Sequence, residues 1–293
     1  MIRLDEADWQ ARAAAHRDLL APVVEPHLHR RSRGQRHPVI DFLFEYYSFA
    51  PCHLMTWHPG WGVALVGPAA RAFLAHPEYS ECDGAVTADP TRLNATRRAG
   101  LAWVVDLLAV TAQRPARLHC FGLHEWAMVY RIEQVRHAGL PLRLPPDELA
   151  AFVESQSVCC SHADAFRFFT PAARPLNRLQ PGRRDQQDFE QPGCLHANMD
   201  LYKWCYKFQP WVPGELLAES FLLAVDLREL DMAASPYDVT ELGYAPVPVE
   251  TETGRVEYQR RQQALADRSA DLRARLHAVL SGLSSAAGEL LPA

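Results

Sequence analysis

Residues 215–232 set the tightest limit on what this chain can fold into. Leu216, Leu217, Phe221, Leu222, Leu223, Val225, Leu227 and Leu230 leave no clean polar stripe at helical spacing. Pro213-Gly214 breaks the chain before the segment, and Ala233-Ala234-Ser235-Pro236 closes it. A helix that is apolar nearly all round needs cover on more than one side. The chain must therefore supply several other elements to surround it. The charges Asp226, Arg228, Glu229 and Asp231 gather at its C-terminal end.

A second segment is delimited as sharply. Pro192-Gly193 precedes residues 194–209, Pro210 follows them, and none of the residues between is proline or glycine. That predicts one helix. His196, Asp200, Lys203 and Lys207 then share a face, while Leu195, Met199, Tyr202 and Tyr206 point elsewhere. Apolar periodicity predicts further helices over residues 4–20, 38–47, 101–110 and 255–280. Another is expected over residues 123–135, ended by Gly139-Leu140-Pro141, and another over 162–169 with Ser161 as N-cap. Residues 147–156 read as a short helix or strand and 63–66 as a short strand. Residues 79–90 read as irregular, 172–188 as a long loop, and 243–254 as extended or a small hairpin. The pattern predicts a mainly α protein: a single helical-bundle-like domain over residues 1–281 with a few short strands, then a flexible tail over 282–293.

Composition narrows the function classes. The 293 residues are 48% hydrophobic and carry a formal net charge of -5, so a strongly basic DNA-coating protein is not expected. No run of about 18 apolar residues is present and the N-terminus lacks a signal-peptide pattern, so neither a membrane span nor export is expected. Seven cysteines, two of them adjacent at Cys159-Cys160 and without a CxxC repeat, fit reduced thiols in a cytoplasmic protein. The one dense basic run, Arg30-Arg31-Ser32-Arg33-Gly34-Gln35-Arg36-His37, reads as a solvated loop or as a grip for phosphate or carboxylate.

Three segments set histidine beside carboxylate: His124-Glu125, His162 with Asp164, and His196 with Asp200. On helices that converge, they define one polar pocket. Such parts serve hydrolysis of a glycosidic bond, in which Asp200 or Asp164 activates water, His196 and Arg167 assist, and Glu125 lies near the bond. Tryptophan and tyrosine would stack on an extruded base. His124, His162, Lys203, Trp204 and Tyr237 are the candidate binding residues. This chemistry requires no cofactor. The same parts serve a haem- or iron-dependent oxygenase with His196 as ligand, although the Glu-x-x-His pairs of a di-iron bundle are missing and Glu133 and His137 fit only loosely. They also suit a non-catalytic small-molecule-binding protein, in which Glu125 forms a buried salt bridge to an arginine. Cys194, at a helix N-terminus, is a weaker nucleophile candidate.

The motifs Leu123-His124-Glu125-Trp126-Ala127-Met128-Val129-Tyr130-Arg131 and Asp164-Ala165-Phe166-Arg167-Phe168-Phe169-Thr170-Pro171 carry a resemblance. So do Gln191-Pro192-Gly193-Cys194-Leu195-His196 through Lys203-Trp204, and Arg228-Glu229-Leu230-Asp231-Met232 with Ser235-Pro236-Tyr237-Asp238. Over most of its length, including His37-Pro38 and Trp57-His58-Pro59-Gly60, the chain resembles an actinobacterial family usually labelled 3-methyladenine DNA glycosylase. The resemblance implies DNA repair, removal of an alkylated purine base, and DNA or a nucleotide as partner.

Overall fold

The computed structural model describes residues 1–132 and 139–289. The fold is mainly α with one small sheet, as the pattern predicted. In chain order the elements are β1 (Ile2–Leu4), α1 (Glu6–Ser32), α2 (Phe42–Tyr47), α3 (Pro51–Met55), β2 (Val63–Val66), β3 (Tyr79–Cys82), β4 (Ala85–Ala88) and α4 (Ala95–Gln113). Then come α5 (Leu123–Ala127), α6 (Pro146–Ser155), α7 (Ala163–Phe166), α8 (Gln186–Phe189), α9 (Leu195–Lys207), α10 (Gly214–Ala233) and α11 (Glu252–Glu289). The chain forms two compact units, each discontinuous in sequence. One comprises Met1–Ala109, Leu201–Leu222 and the chain from Asp271; the other comprises Val110–Asp200 and Leu223–Ala270. No helix among the described residues is long and apolar enough to cross a membrane.

The first unit holds the sheet, in the order β1-β2-β4-β3. β1 lies parallel to β2 and the remaining pairs are antiparallel. The segment expected to be irregular is therefore a hairpin. Its turn, Asp83-Gly84, has φ of 50° and 70°, the doubly left-handed geometry that matches strand twist and that an Asp-Gly pair adopts most readily. α1 begins at its Asp5 N-cap and runs through Pro22 and Pro26, twelve residues beyond the predicted end at 20. Leu20, Val24 and His27 are buried at helical spacing along it, so burial of one face outweighs the two missing amide donors. Trp9 Nε1 donates to the Val66 carbonyl at 3.1 Å and Trp61 Nε1 to the Val279 carbonyl at 2.9 Å, tying α1 to β2 and the β2 approach to α11.

The second unit is built on the C-terminal half of α10, where Leu223, Ala224, Leu227, Arg228, Leu230 and Asp231 are all fully buried. The helix expected over 123–135 is shorter: α5 ends at Ala127, and residues 133–135, together with Glu133 and His137, lie outside the described residues. α7 is capped by His162, one residue later than the predicted Ser161 cap. The 172–188 loop contains α8 and two short 3-10 turns, and 243–254 forms no strand. α11 continues past the predicted end at 280 to Glu289, with Leu283 and Ala287 buried, so residues 282–289 are helix where a tail was expected. Residues 290–293 lie outside the described residues.

Candidate metal centre

Three turns of backbone deliver the site in the second unit. Phe121 and Gly122, both at positive φ, turn the chain into α5 so that His124 and Glu125 face inward. Trp126 Nε1 then anchors α5 by donating to the Ala234 carbonyl at 2.9 Å. Before α9, the Gln191 side-chain oxygen accepts from the Arg117 and Gly193 amides, each at 2.8 Å, and Gln262 donates to the Gly193 carbonyl at 2.6 Å. A Cβ at residue 193 would lie 2.8 Å from the Arg117 carbonyl oxygen, so this turn requires glycine. The locked turn starts α9 and sets His196 and Asp200 on its buried side, 5% and 1% exposed. The Asn177 side chain accepts from Cys160 N at 2.7 Å and donates to Cys160 O at 3.0 Å, fixing the loop that ends at His162.

These elements bring together two triads of buried donors: His124, His196 and Asp231, and His162, Glu190 and Asp200. Within each triad the ligand atoms lie within 4.8 Å of one another. The His196 ring stands 4.6 Å from that of His124 and 5.3 Å from that of His162, centroid to centroid. The imidazoles predicted to converge therefore do so, with Asp200 and Glu125 beside them.

The two triads differ in where their protons can sit. His124 Nε2 and Asp231 Oδ1 are 2.8 Å apart, yet neither has a hydrogen-bond partner among the described residues. The atoms are close, but their angles are not those of a hydrogen bond. Two donors bound to one ion at about 2.1 Å each stand about 3 Å apart without pointing at each other. His162 is tied differently. Its Nδ1 accepts the Ala165 amide at 3.3 Å, so the neutral ring carries its proton on Nε2. That Nε2 lies 3.4 Å from Glu190 and 3.5 Å from Asp200 and, like His124 Nε2, makes no hydrogen bond among the described residues. Both triads thus place an imidazole Nε2 without a hydrogen bond beside buried carboxylates, and both have the spacing of a candidate metal site.

Electrostatics separate the groups further. Burial and the neighbouring His124 push the His196 imidazole well below its usual range, leaving it neutral, the form that binds metals. Burial works against protonation of His124 too, but Asp231 and Glu125 outweigh it and raise that ring. Burial alone would raise Asp231, while His124 and Arg228 hold it below the ordinary carboxylate range. Arg228 is fully buried and donates to Glu125 at 2.9 Å and to Asp231 at 2.7 Å. Glu125 is accordingly the acid of a buried salt bridge.

A narrow cavity of about 20 Å³ opens against His124 and His196, with Cys120, Cys160 and Cys194 in its wall. That volume accommodates about one water-sized occupant. Burial raises all three thiols, Cys160 to about 12, so they stay protonated. For Cys194 this overrides the helix N-terminus that suggested an activated nucleophile.

Other candidates stand outside the cluster. Asp164 forms ion pairs with Arg167 at 3.6 Å and Arg183 at 3.4 Å, the two arginines being exposed. Arg167 also lies over the Phe168 ring at 4.5 Å. Both belong to the i, i+3 pair expected of a helix surface. Tyr237 is buried, its backbone bridging to Leu142. Lys203 and Trp204 fall in the other unit, the ammonium 4.4 Å over the indole. Sequence reasoning missed Asp231 and Glu190 as site residues. The available signal for Asp231 was its i, i+3 spacing from Arg228 inside an otherwise apolar helix. No family model, no curated protein and no solved structure matches the chain.

Proposed function

We propose that the protein is a metal-dependent enzyme whose ion is held by His124, His196 and Asp231. The observation that carries this reading is the 2.8 Å approach of His124 Nε2 to Asp231 Oδ1 with no hydrogen bond made by either atom among the described residues. Two imidazoles and one carboxylate leave open coordination positions, the donor set of non-haem iron(II) oxygenases. The adjoining cavity fits a small ligand such as dioxygen or water, and it favours side-chain-held iron over a haem ring. Arg228 would orient Asp231 from behind, as partners of metal-ligating carboxylates do.

A second reading is metal-assisted hydrolysis, including cleavage of the N-glycosidic bond that the family resemblance implies. It is favoured by the Glu190 and Asp200 carboxylates, which lie against His162 next to the first triad and could accept a proton from a metal-bound water. A purine would require the cavity to open.

Metal analysis of protein purified from cells supplied with iron, zinc and manganese tests both. About one equivalent of metal per chain is expected, lost together in His124→Ala, His196→Ala and Asp231→Asn. Iron with substrate-dependent oxygen uptake supports the oxygenase; zinc with base release from alkylated DNA or nucleosides supports the hydrolase. Metal-free protein that gains none on reconstitution overturns both.

A further inference from the structure

The first unit contains another buried histidine–carboxylate pair, independent of the metal centre. His27 Nδ1 donates to Asp41 Oδ1 at 2.9 Å. Asp41 also accepts from Arg30 Nε at 3.1 Å and from the His37 amide at 2.8 Å. Both residues are buried, His27 to 5% and Asp41 to 3% exposure. The His27 ring is stacked on Phe44 at 3.9 Å with planes 12° apart, which fixes its orientation. Since Asp41 takes the Nδ1 proton, Nε2 is the ring nitrogen left for a further hydrogen bond.

This pair lies at the wall of a cavity of about 870 Å³, within the range of small-molecule sites. Phe44 and Phe49 supply apolar lining and Arg31, Gln35 and Arg36 a polar rim. The arginines are not equivalent. Arg30 is committed to Asp41 and Arg36 pairs with Glu45, whereas Arg31 makes no ion pair among the described residues. The four arginines of the basic run thus resolve into two paired guanidiniums, Arg30 and Arg36, and two without an ion pair among the described residues, Arg31 and Arg33, of which Arg31 lines the cavity beside a histidine of fixed orientation and an aromatic wall.

We propose that this cavity binds a small organic anion, a carboxylate or phosphate monoester on an apolar body. Arg31 takes the anionic oxygens, His27 Nε2 hydrogen-bonds to the same group, and the body rests on Phe44 and Phe49. A guanidinium grips such oxygens through two parallel hydrogen bonds. The aromatic wall adds affinity that a bare inorganic ion cannot use.

Calorimetric titration with phenyl phosphate, benzoate, inorganic phosphate and benzyl alcohol tests this, with the His27 ring followed by proton–carbon NMR. The aromatic anions should bind at least tenfold more tightly than inorganic phosphate, benzyl alcohol should not bind measurably, and the His27 resonances should move to saturation with the ligand. The exposed Arg31 permits a folded Arg31→Ala variant, checked by circular dichroism, in which affinity for both aromatic anions should fall about tenfold. Preference for phenyl phosphate over benzoate would assign the monoester, and the reverse the carboxylate. Equal binding of phosphate and phenyl phosphate, unaltered affinity in Arg31→Ala, or unmoved His27 resonances at saturation would each overturn the proposal.

Discussion

His124 approaches Asp231 to 2.8 Å and His27 approaches Asp41 to 2.9 Å, both pairs buried, yet they are different objects. Asp41 receives donors from His27, Arg30 and the His37 amide, and the ring proton points at its oxygen. It is a satisfied carboxylate, and the structure around it is complete. At His124 and Asp231 the facing atoms are as close but make no hydrogen bond among the described residues. A buried polar atom left so costs on the order of 1–3 kcal/mol, and a cation between the two would remove that cost. Separation alone does not classify a buried histidine–carboxylate pair; the direction of the lone pairs does.

The comparison breaks most decisively on metal content. Asp231→Asn keeps the side-chain shape while removing an anionic ligand, and bound metal should fall from about one equivalent to none. Asp41→Asn should leave metal content unchanged. Retention of metal in Asp231→Asn, measured on protein folded by circular dichroism, would remove the distinction. Stability supplies the next largest effect. Asp41→Ala strands His27 and Arg30 without their shared acid and should cost about 3 kcal/mol in urea unfolding, again without loss of metal.

Acid sharpens the contrast further. Burial alone would raise the Asp41 carboxyl, but hydrogen bonds from Arg30, the His37 amide and His27 together hold it below its ordinary range. A carboxylate with a lowered native value favours folding in full above the unfolded value near ~4. That contribution disappears as pH falls through the native value. Wild type should therefore lose stability below about pH 4 more steeply than Asp41→Asn, by about 1.4 kcal/mol for each pH unit of lowering. Parallel stability curves for the two proteins between neutral and acid pH would contradict it.

How much of this was legible in the residues varies by region. The mainly α architecture was, because α10 is apolar nearly all round and Pro192-Gly193 and Pro210 bracket α9. The β3–β4 hairpin was missed although Asp83-Gly84 announces it, and the helix expected over 4–20 stopped short of Pro22 and Pro26, through which α1 continues because tertiary burial outweighs them. At the site, His124, His162, His196, Asp200 and Glu125 were legible as titratable groups in apolar company. Asp231 was hidden by its neighbours. Asp226 and Glu229 are partly exposed, so the charged end of α10 resembles a solvated terminus, and only Arg228 and Asp231 turn inward. Glu190 caps the one-turn helix α8, its amide donating to the Gln186 carbonyl at 3.0 Å, and is tied further by Arg114, which donates to its carbonyl at 2.7 Å. Such a long-range tie has no local signature.

Within the site itself, His162→Asn is expected to leave metal content unchanged, and it decides whether the second triad holds an ion or a proton. His162 Nδ1 caps α7 by accepting the Ala165 amide, a role that asparagine performs well. The substitution therefore preserves the cap while removing the Nε2 that lies 3.4 Å from Glu190 and 3.5 Å from Asp200. If the ring is a proton carrier, metal stoichiometry stays at about one equivalent and only the chemical step slows, by about 10²–10⁴-fold. The pH dependence of the remaining turnover should lose the limb that belongs to the acid–base group. If the second triad were itself a metal site, wild type would carry about two equivalents and this variant about one. Metal analysis of the two proteins side by side separates these outcomes, because a merely structural histidine would alter neither the stoichiometry nor the shape of the pH profile.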